Sequence, residues 1–393
     1  MARRSARDDV PPLPEGLRDA LDDAAERARL PTSRDTAALA RGLSGLSGAY
    51  NAGRFPGRPG GPAWTPEMRA ARLHFFLPRD ARKVAAALRD VPLRAPGAPL
   101  RILDLGAGLG ASALGALVTA RARGHAAVRL ELLDPQAGPL ADAAALLRTL
   151  DPDVSVHTRA GALEAATGTH DLVVMSNVLV EADAHDGDAR VTAARLRALA
   201  CGHLAPDGVL LVVEPALRPT ARRLQAVRDL LRDDPDVRIL GPCTHAGRCP
   251  LLSREDDWCH DDLALDLPPW LAPVARAAGL RWQGLTFSRL VLGRSPHADA
   301  AQGWRVVAPP APTRGKHTLR LCGPGAPDTA AVERLDRAAT PQNAAWGEAE
   351  RGDALDLPPE VLARTPARVE APDRVRLLRG PPQRAGSISQ TPR

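Results

Sequence analysis

Thiols are the side chains best placed to do chemistry in this chain. It has only five cysteines, and three of them, Cys243, Cys249 and Cys259, fall in the stretch CTHAGRCPLLSREDDWCH, which also carries His245 and His260. Thiolate and imidazole together suggest a metal centre. The spacing Cys-x5-Cys-x9-Cys is not the paired C-x2-C knuckle of a zinc ribbon. Three thiolates also leave a metal one ligand short. A histidine of the stretch can supply the fourth ligand, or a distant cysteine. Cys322 ends the expected strand KHTLRLC, just before a Gly-Pro turn. Cys201 ends an apolar helix and reads as a small buried residue. Pro242 and Pro250 stiffen the chain around the thiols. Wide, irregular spacings suit a chain wrapped around a bulky cluster, and iron–sulfur clusters are typically held by four thiolates. Zinc is the alternative, held by four thiolates or by three thiolates and one imidazole.

A second constellation is ILDLGAGLGAS. Asp104, Gly106, Gly108 and Gly110 form D-x-G-x-G-x-G where an apolar strand meets a helix. Glycines there let the chain turn sharply and let a ligand approach the backbone, facing the unpaired N–H groups of the helix start. Asp134 closes the next strand, LELLD, where a carboxylate can accept from ribose hydroxyls. The G-x-G-x-x-G spacing of dinucleotide folds does not fit.

The surrounding pattern positions both features. Residues 15–48 and 66–90 carry apolar residues near a 3.6 period and read as helices, separated by the Gly- and Pro-rich loop YNAGRFPGRPGGPAW. From about residue 99, apolar strands alternate with helices as far as GVLLVVEP and ARRLQAVRDLLRD, which predicts parallel βαβ units in a doubly wound α/β sheet. The expected division is an N-terminal helical region (1–95), a Rossmann-like domain (96–240), a cysteine-rich segment with C-terminal strands (241–360), and a disordered Pro-, Arg- and Gly-rich tail (361–393).

Composition bounds the function classes. Hydrophobic content of 44% and charged content of 25% fit a globular protein, and no apolar run is long enough to span a membrane. The start MARRSARDDV lacks the apolar core of a secretory signal, and unevenly placed cysteines do not suggest a disulfide framework, so a cytoplasmic, reducing setting is expected. The net charge is +6 and nearly all basic residues are arginine, with lysine only at Lys83 and Lys316. That bias fits a GC-rich codon usage, and also a phosphate-binding surface.

The glycine loop, the acid after the second strand and the strand order together resemble the class I S-adenosylmethionine (SAM)-dependent methyltransferases. The resemblance implies that Asp104, Gly106, Gly108 and Gly110 line the SAM loop and that Asp134 takes the ribose. It matches DLVVMSNVLVE to the fourth strand, with Asn177 near its end. After the third strand, Ala160 and Gly161 stand where many relatives carry a polar residue to read adenine. A methyltransferase-like fold followed by GPCTHAGRCPLL and DDWCH, by KHTLRLC and by WGEAERGD resembles one family more specifically. This is the methyltransferase-like assembly factor of the small ribosomal subunit, found in mitochondria and bacteria. That resemblance implies a 4Fe-4S cluster on Cys243, Cys249, Cys259 and Cys322, action on small-subunit ribosomal RNA, and a monomer off the ribosome. Methyl transfer itself is not implied: MSNVLVE replaces the motif of amino-methylating enzymes, so no catalytic residue is assigned. Arg54, Arg58, Arg218, Arg222, Arg223, Arg314 and Lys316 then become RNA-contact expectations. The competing expectation is a methyltransferase for a small molecule or RNA, with a structural zinc.

Overall fold

The computed structural model describes residues 10–182, 187–280, 282, 284–294, 303–325 and 328–378. Its helices are α1 (Leu17–Arg27), α2 (Thr36–Asn51), α3 (Pro66–Ala71), α4 (Leu77–Leu88), α5 (Ala111–Ala122), α6 (Ala137–Leu150), α7 (Leu179–Ala182), α8 (Ala189–His203), α9 (Arg218–Leu231), α10 (Ala272–Ala277) and α11 (Pro359–Ala363). One π-helical turn, Arg72–Phe76, joins α3 to α4.

The main sheet uses β1 (Leu100–Leu105), β2 (Val128–Asp134), β3 (Ser155–Ala160), β4 (His170–Ser176), β5 (Leu204–Glu214), β6 (Val237–Gly241), β7 (Asp261–Leu263) and β8 (Leu285–Arg294). Its order is β3-β2-β1-β4-β5-β8-β6, with β7 added beside β8. The first five strands run parallel, and β8 lies antiparallel between β5 and β6. The central strands are continuous apolar runs because both of their faces are covered. Along β1, Leu100 and Ile102 join the core under α4, α5 and α6, while Leu103 and Leu105 join the opposite core under α8 and α9. Period-2 alternation thus splits one strand between two helix layers.

A second sheet follows: β9 (Trp304–Val306), β10 (Ala311–Thr313), β11 (Lys316–Cys322), β12 (Ala330–Leu335), β13 (Ala354–Asp356), β14 (Arg368–Val369) and β15 (Arg376–Leu378), in the order β14-β12-β11-β9-β13-β15 with β10 beside β11. Fully buried Trp346 anchors its core.

Three expected boundaries move. The helical region is not separate from the sheet, because α4 shares the apolar core of α5 and β1. The division at residue 240 does not follow the sheets either: β8 lies beyond the cysteine stretch yet completes the main sheet, since its buried side chains match the β5 face. Disorder from 361 is corrected as far as residue 378. Val369 and Val375 are buried in the second core, and Arg364 pairs with Asp373, so β14 and β15 fold where composition alone suggests a tail. Residues 379–393 lie outside the described residues.

Candidate cysteine centre and cofactor loop

Two chain segments deliver the thiols. The loop after β6 carries Cys243, Cys249 at the start of a short 3-10 turn, and Cys259 just before β7. Cys322 is the last residue of β11, paired across the second sheet with Arg305 of β9. All four are unbridged and line one cavity of about 40 Å³. That volume exceeds the room a single water needs. Among the described residues, no group of three or more His, Cys, Asp or Glu side chains could hold a single metal ion. The sulfurs sense one another. Burial first, then the neighbouring cysteines, pushes the Cys249 thiol up to about 12 and Cys322 still higher. Without a cation among them these thiols stay protonated, and metal binding would release their protons.

Helix α9 braces the loop. Arg222 donates to the carbonyls of Leu251, Leu252, Arg254 and Asp257, and Arg228 donates to those of His245 and Gly247. Both carboxylate oxygens of Asp229 accept from Cys249 N at 3.0 Å. Ser288 of β8 donates to Cys259 O at 3.3 Å, and His245 Nε2 lies 3.2 Å from Cys322 Sγ. Behind the cavity, Asp261 binds Arg289 and Arg305, and Asp90 binds Arg89 and Arg289, tying α4, β7, β8 and β9 together. Burial would lower the Arg305 pKa, but Asp261 and the Cys259 and Cys243 sulfurs outweigh it and hold the guanidinium charged. Arg228 behaves alike, with Cys243 and Asp229 opposing its burial.

The cavity wall also carries buried polar atoms without a hydrogen-bond partner among the described residues: Arg228 Nε, Arg305 Nε, His260 Nδ1 and both amide atoms of Gln225. Each such group costs about 1–3 kcal/mol if left unmatched. Native proteins seldom leave several together. The thiols together with the Nε–H groups of Arg228 and Arg305 fit an anionic, sulfur-rich metal centre.

The glycine loop is built differently. Gly106, Gly108 and Gly110 all adopt left-handed backbone, at φ 72°, 51° and 82°, before α5 begins. Asp104 does not line a surface: it is fully buried and accepts from Ser112 Oγ at 2.7 and 2.8 Å, pinning the loop to α5. Burial raises its pKa to about 7 against the Ser112 hydrogen bond. Asp134 accepts from Gly108 N at 3.0 Å and Gln136 N at 2.9 Å, so it clasps the loop it faces. Asn177 follows β4 in left-handed backbone, φ 59°, rare outside glycine. Glu214, fully buried, accepts from Leu179 N and Val180 N at the start of α7, and burial raises its pKa to about 7.

One residue here escaped sequence reasoning. Arg72, in the π turn, lies over the loop: a Cβ on Gly108 would sit 2.9 Å from its Nη2. Its guanidinium stacks 5.5 Å from the Trp64 ring, and it makes no ion pair among the described residues. Nearby, burial raises the Glu181 pKa against the opposing charges of Arg72 and Arg58, and pushes the Tyr50 hydroxyl up to about 12. From the N-terminal region Arg72 thus covers the glycine loop, with Trp64 against its guanidinium. π turns often mark functional sites, but no local sequence signal announces one.

Several arginines expected on RNA are engaged within the protein. Arg222 is committed to the cysteine loop, Arg218 pairs with Asp256 at 3.1 Å, Arg58 with Glu181 at 3.9 Å, and Lys316 with Glu333 at 2.9 Å.

A parallel sheet with one antiparallel strand between its last two members, and a glycine loop after β1, define a Rossmann-like α/β protein of the class I methyltransferase type. Residues 73–340, more than half of the chain, match the family model described as mitochondrial small ribosomal subunit Rsm22. The chain belongs to that family, and the matched span holds the glycine loop and the four cysteines of the cavity. Similar solved structures include a mitomycin 7-O-methyltransferase, at 19% identity over 58% of this chain and 57% of that one, TM-score 0.31. The chain thus spans less than two thirds of that enzyme. Others are a magnesium protoporphyrin IX methyltransferase from Synechocystis with bound SAM (16% identity, 56% and 85% covered, TM-score 0.33) and a putative RNA methyltransferase from Pyrococcus horikoshii (12%, 49% and 74%, TM-score 0.29). No curated protein matches the chain. Among the described residues no helix is long and apolar enough to cross a membrane.

Proposed function

We propose that this chain is a factor of the small ribosomal subunit that binds its ribosomal RNA, carries a 4Fe-4S cluster on Cys243, Cys249, Cys259 and Cys322, and holds SAM at the glycine loop. The observation that carries the reading is the meeting of Cys322, from the second sheet, with the three loop cysteines around one cavity whose buried N–H donors lack partners. A cluster there links the two sheets, so its first role is structural. The family's small-subunit description supports the partner. Exposed arginines such as Arg54 and Arg314 offer guanidinium groups to RNA phosphate.

SAM, when bound, supplies a methyl group on a sulfonium. Gly106, Gly108 and Gly110 leave room beside the backbone, Asp134 receives the ribose, and the unpaired Arg72 guanidinium suits the α-carboxylate. The two carboxylates with pKa near 7, Asp104 and Glu214, are fully buried and bonded within the protein, so neither is free to take a proton from a substrate. That favours SAM as a bound ligand that orders the N-terminal cap. Protein purified without oxygen tests the reading: iron and sulfide in the cavity, heat on titration with SAM, and crosslinks to small-subunit rRNA support it. A colourless protein with one zinc that turns over SAM without RNA overturns it in favour of a zinc-stabilised methyltransferase.

A further inference from the structure

The cysteine cavity presents two arginines whose side chains are almost fully enclosed, Arg228 at 2% and Arg305 at 4% exposure. In each, the Nη atoms are already committed. Arg228 Nη1 and Nη2 donate to Gly247 O, His245 O and Asp229, while Arg305 Nη1 and Nη2 donate to Gly352 O at 2.8 Å and Asp261 at 3.1 Å. A guanidinium is planar and its donors are fixed in direction, so clamping the two outer nitrogens also fixes the Nε–H. In both residues that Nε–H is buried and has no hydrogen-bond partner among the described residues, while the Arg305 guanidinium already interacts with the Cys259 sulfur. The two come from different elements, α9 and β9, and both residues line the wall that carries the four cysteines. Arg305 is also the cross-strand neighbour of Cys322.

We infer that the Nε–H groups of Arg228 and Arg305 donate hydrogen bonds to sulfur of the metal centre held by the cysteines, and that they set its reduction potential. This rests on the cluster reading above. Sulfur, as thiolate or bridging sulfide, accepts N–H hydrogen bonds, and such bonds to a cluster raise its potential by stabilising the more negative, reduced form. Here the donors are held rigidly by backbone carbonyls and carboxylates. Arg222 is a different case: it binds loop carbonyls and does not line the cavity, so it holds the loop without touching the centre.

The test is the midpoint potential of the full chain, reconstituted with iron and sulfide under nitrogen, for wild type, R228Q, R305Q and R222Q. R228Q and R305Q are expected to shift the potential negative. R222Q is expected to lower the amount of cluster retained while leaving the potential of what remains unchanged. If either Gln variant holds no cluster, R228K and R305K keep the charge and lose the guanidinium Nε–H, and the same negative shift is expected. Wild-type potentials in the cavity-lining variants overturn the inference while leaving the cluster intact. An equal shift in R222Q overturns it as well, assigning the effect to loop disorder. A wild-type protein that takes up no iron–sulfur cluster overturns both this inference and the reading beneath it.

Discussion

The glycine loop and the cysteine cavity differ in how their buried polar groups are satisfied. Around the glycine loop, the carboxylates find partners within the chain: Asp104 takes Ser112, Asp134 takes two backbone N–H groups, and Glu214 takes the start of α7. In the cysteine cavity, four thiols meet arginine, histidine and glutamine atoms that have none. At the first site the protein itself satisfies the buried carboxylates, leaving Arg72 for a ligand. The second is complete only with an occupant. A ligand at the glycine loop should therefore adjust stability, whereas loss of the occupant at the cysteines should cost the joint between the two sheets.

The largest effect is expected from Cys249→Ser. It should strip most of the iron and lower unfolding free energy by more than about 3 kcal/mol, because metal binding here is folding free energy. Iron content equal to wild type would erase the contrast between the regions. Next comes Arg222→Gln, which abandons carbonyls of Leu251, Leu252, Arg254 and Asp257. Bonds from charged donors are worth about 1.5–3 kcal/mol, and denaturant melts should lose about 2 kcal/mol together with cluster occupancy. If Arg222 instead serves RNA, stability stays put and RNA affinity falls.

At the other site, Arg72→Gln should weaken SAM by about tenfold, or ~1.4 kcal/mol, through loss of a charge-assisted contact. Calorimetry should show 5′-methylthioadenosine, which lacks the carboxylate, binding both proteins alike. Equal losses for the two ligands would place Arg72 elsewhere. The smallest effect is a slope with pH. Asp104 has its pKa raised to about 7 by burial, so the folded state holds a proton that the unfolded chain releases near pH 4. Its contribution is full below about pH 4 and is lost as pH rises to about 7. Melting temperatures of Asp104→Asn should fall less steeply across that window. Glu214 keeps part of the slope, since its shift has the same sign.

The sequence carried the parallel sheet well, because β1, β4 and β5 are apolar runs separated by amphipathic helices. It carried the cysteines only in part. Spacing marks Cys243, Cys249 and Cys259 as a group, but the place of Cys322 depends on β11 crossing to the loop, a contact over sixty residues long that no local pattern encodes. Arginines were the least legible residues. Their number hides those that are buried: Arg222 reads as an RNA contact and Arg228 does not stand out until the carbonyls they bind are seen. A signal did exist: Gln225 and Arg228 fall one turn apart on the stripe of Ala221 and Leu224, which puts polar groups on a buried helix face just before the cysteine loop. The second sheet was legible at β11, since most of its other strands have three residues or fewer and its core relies on single residues such as Trp346, Val369 and Val375.

Iron and acid-labile sulfide analysis of the full chain purified without oxygen, read with its absorption and low-temperature EPR after reduction, tests the central claim most directly. A cluster on Cys243, Cys249, Cys259 and Cys322 predicts about four irons and about four sulfides per chain, with a brown colour and an EPR signal on reduction. A colourless protein holding about one zinc per chain and no sulfide would contradict it.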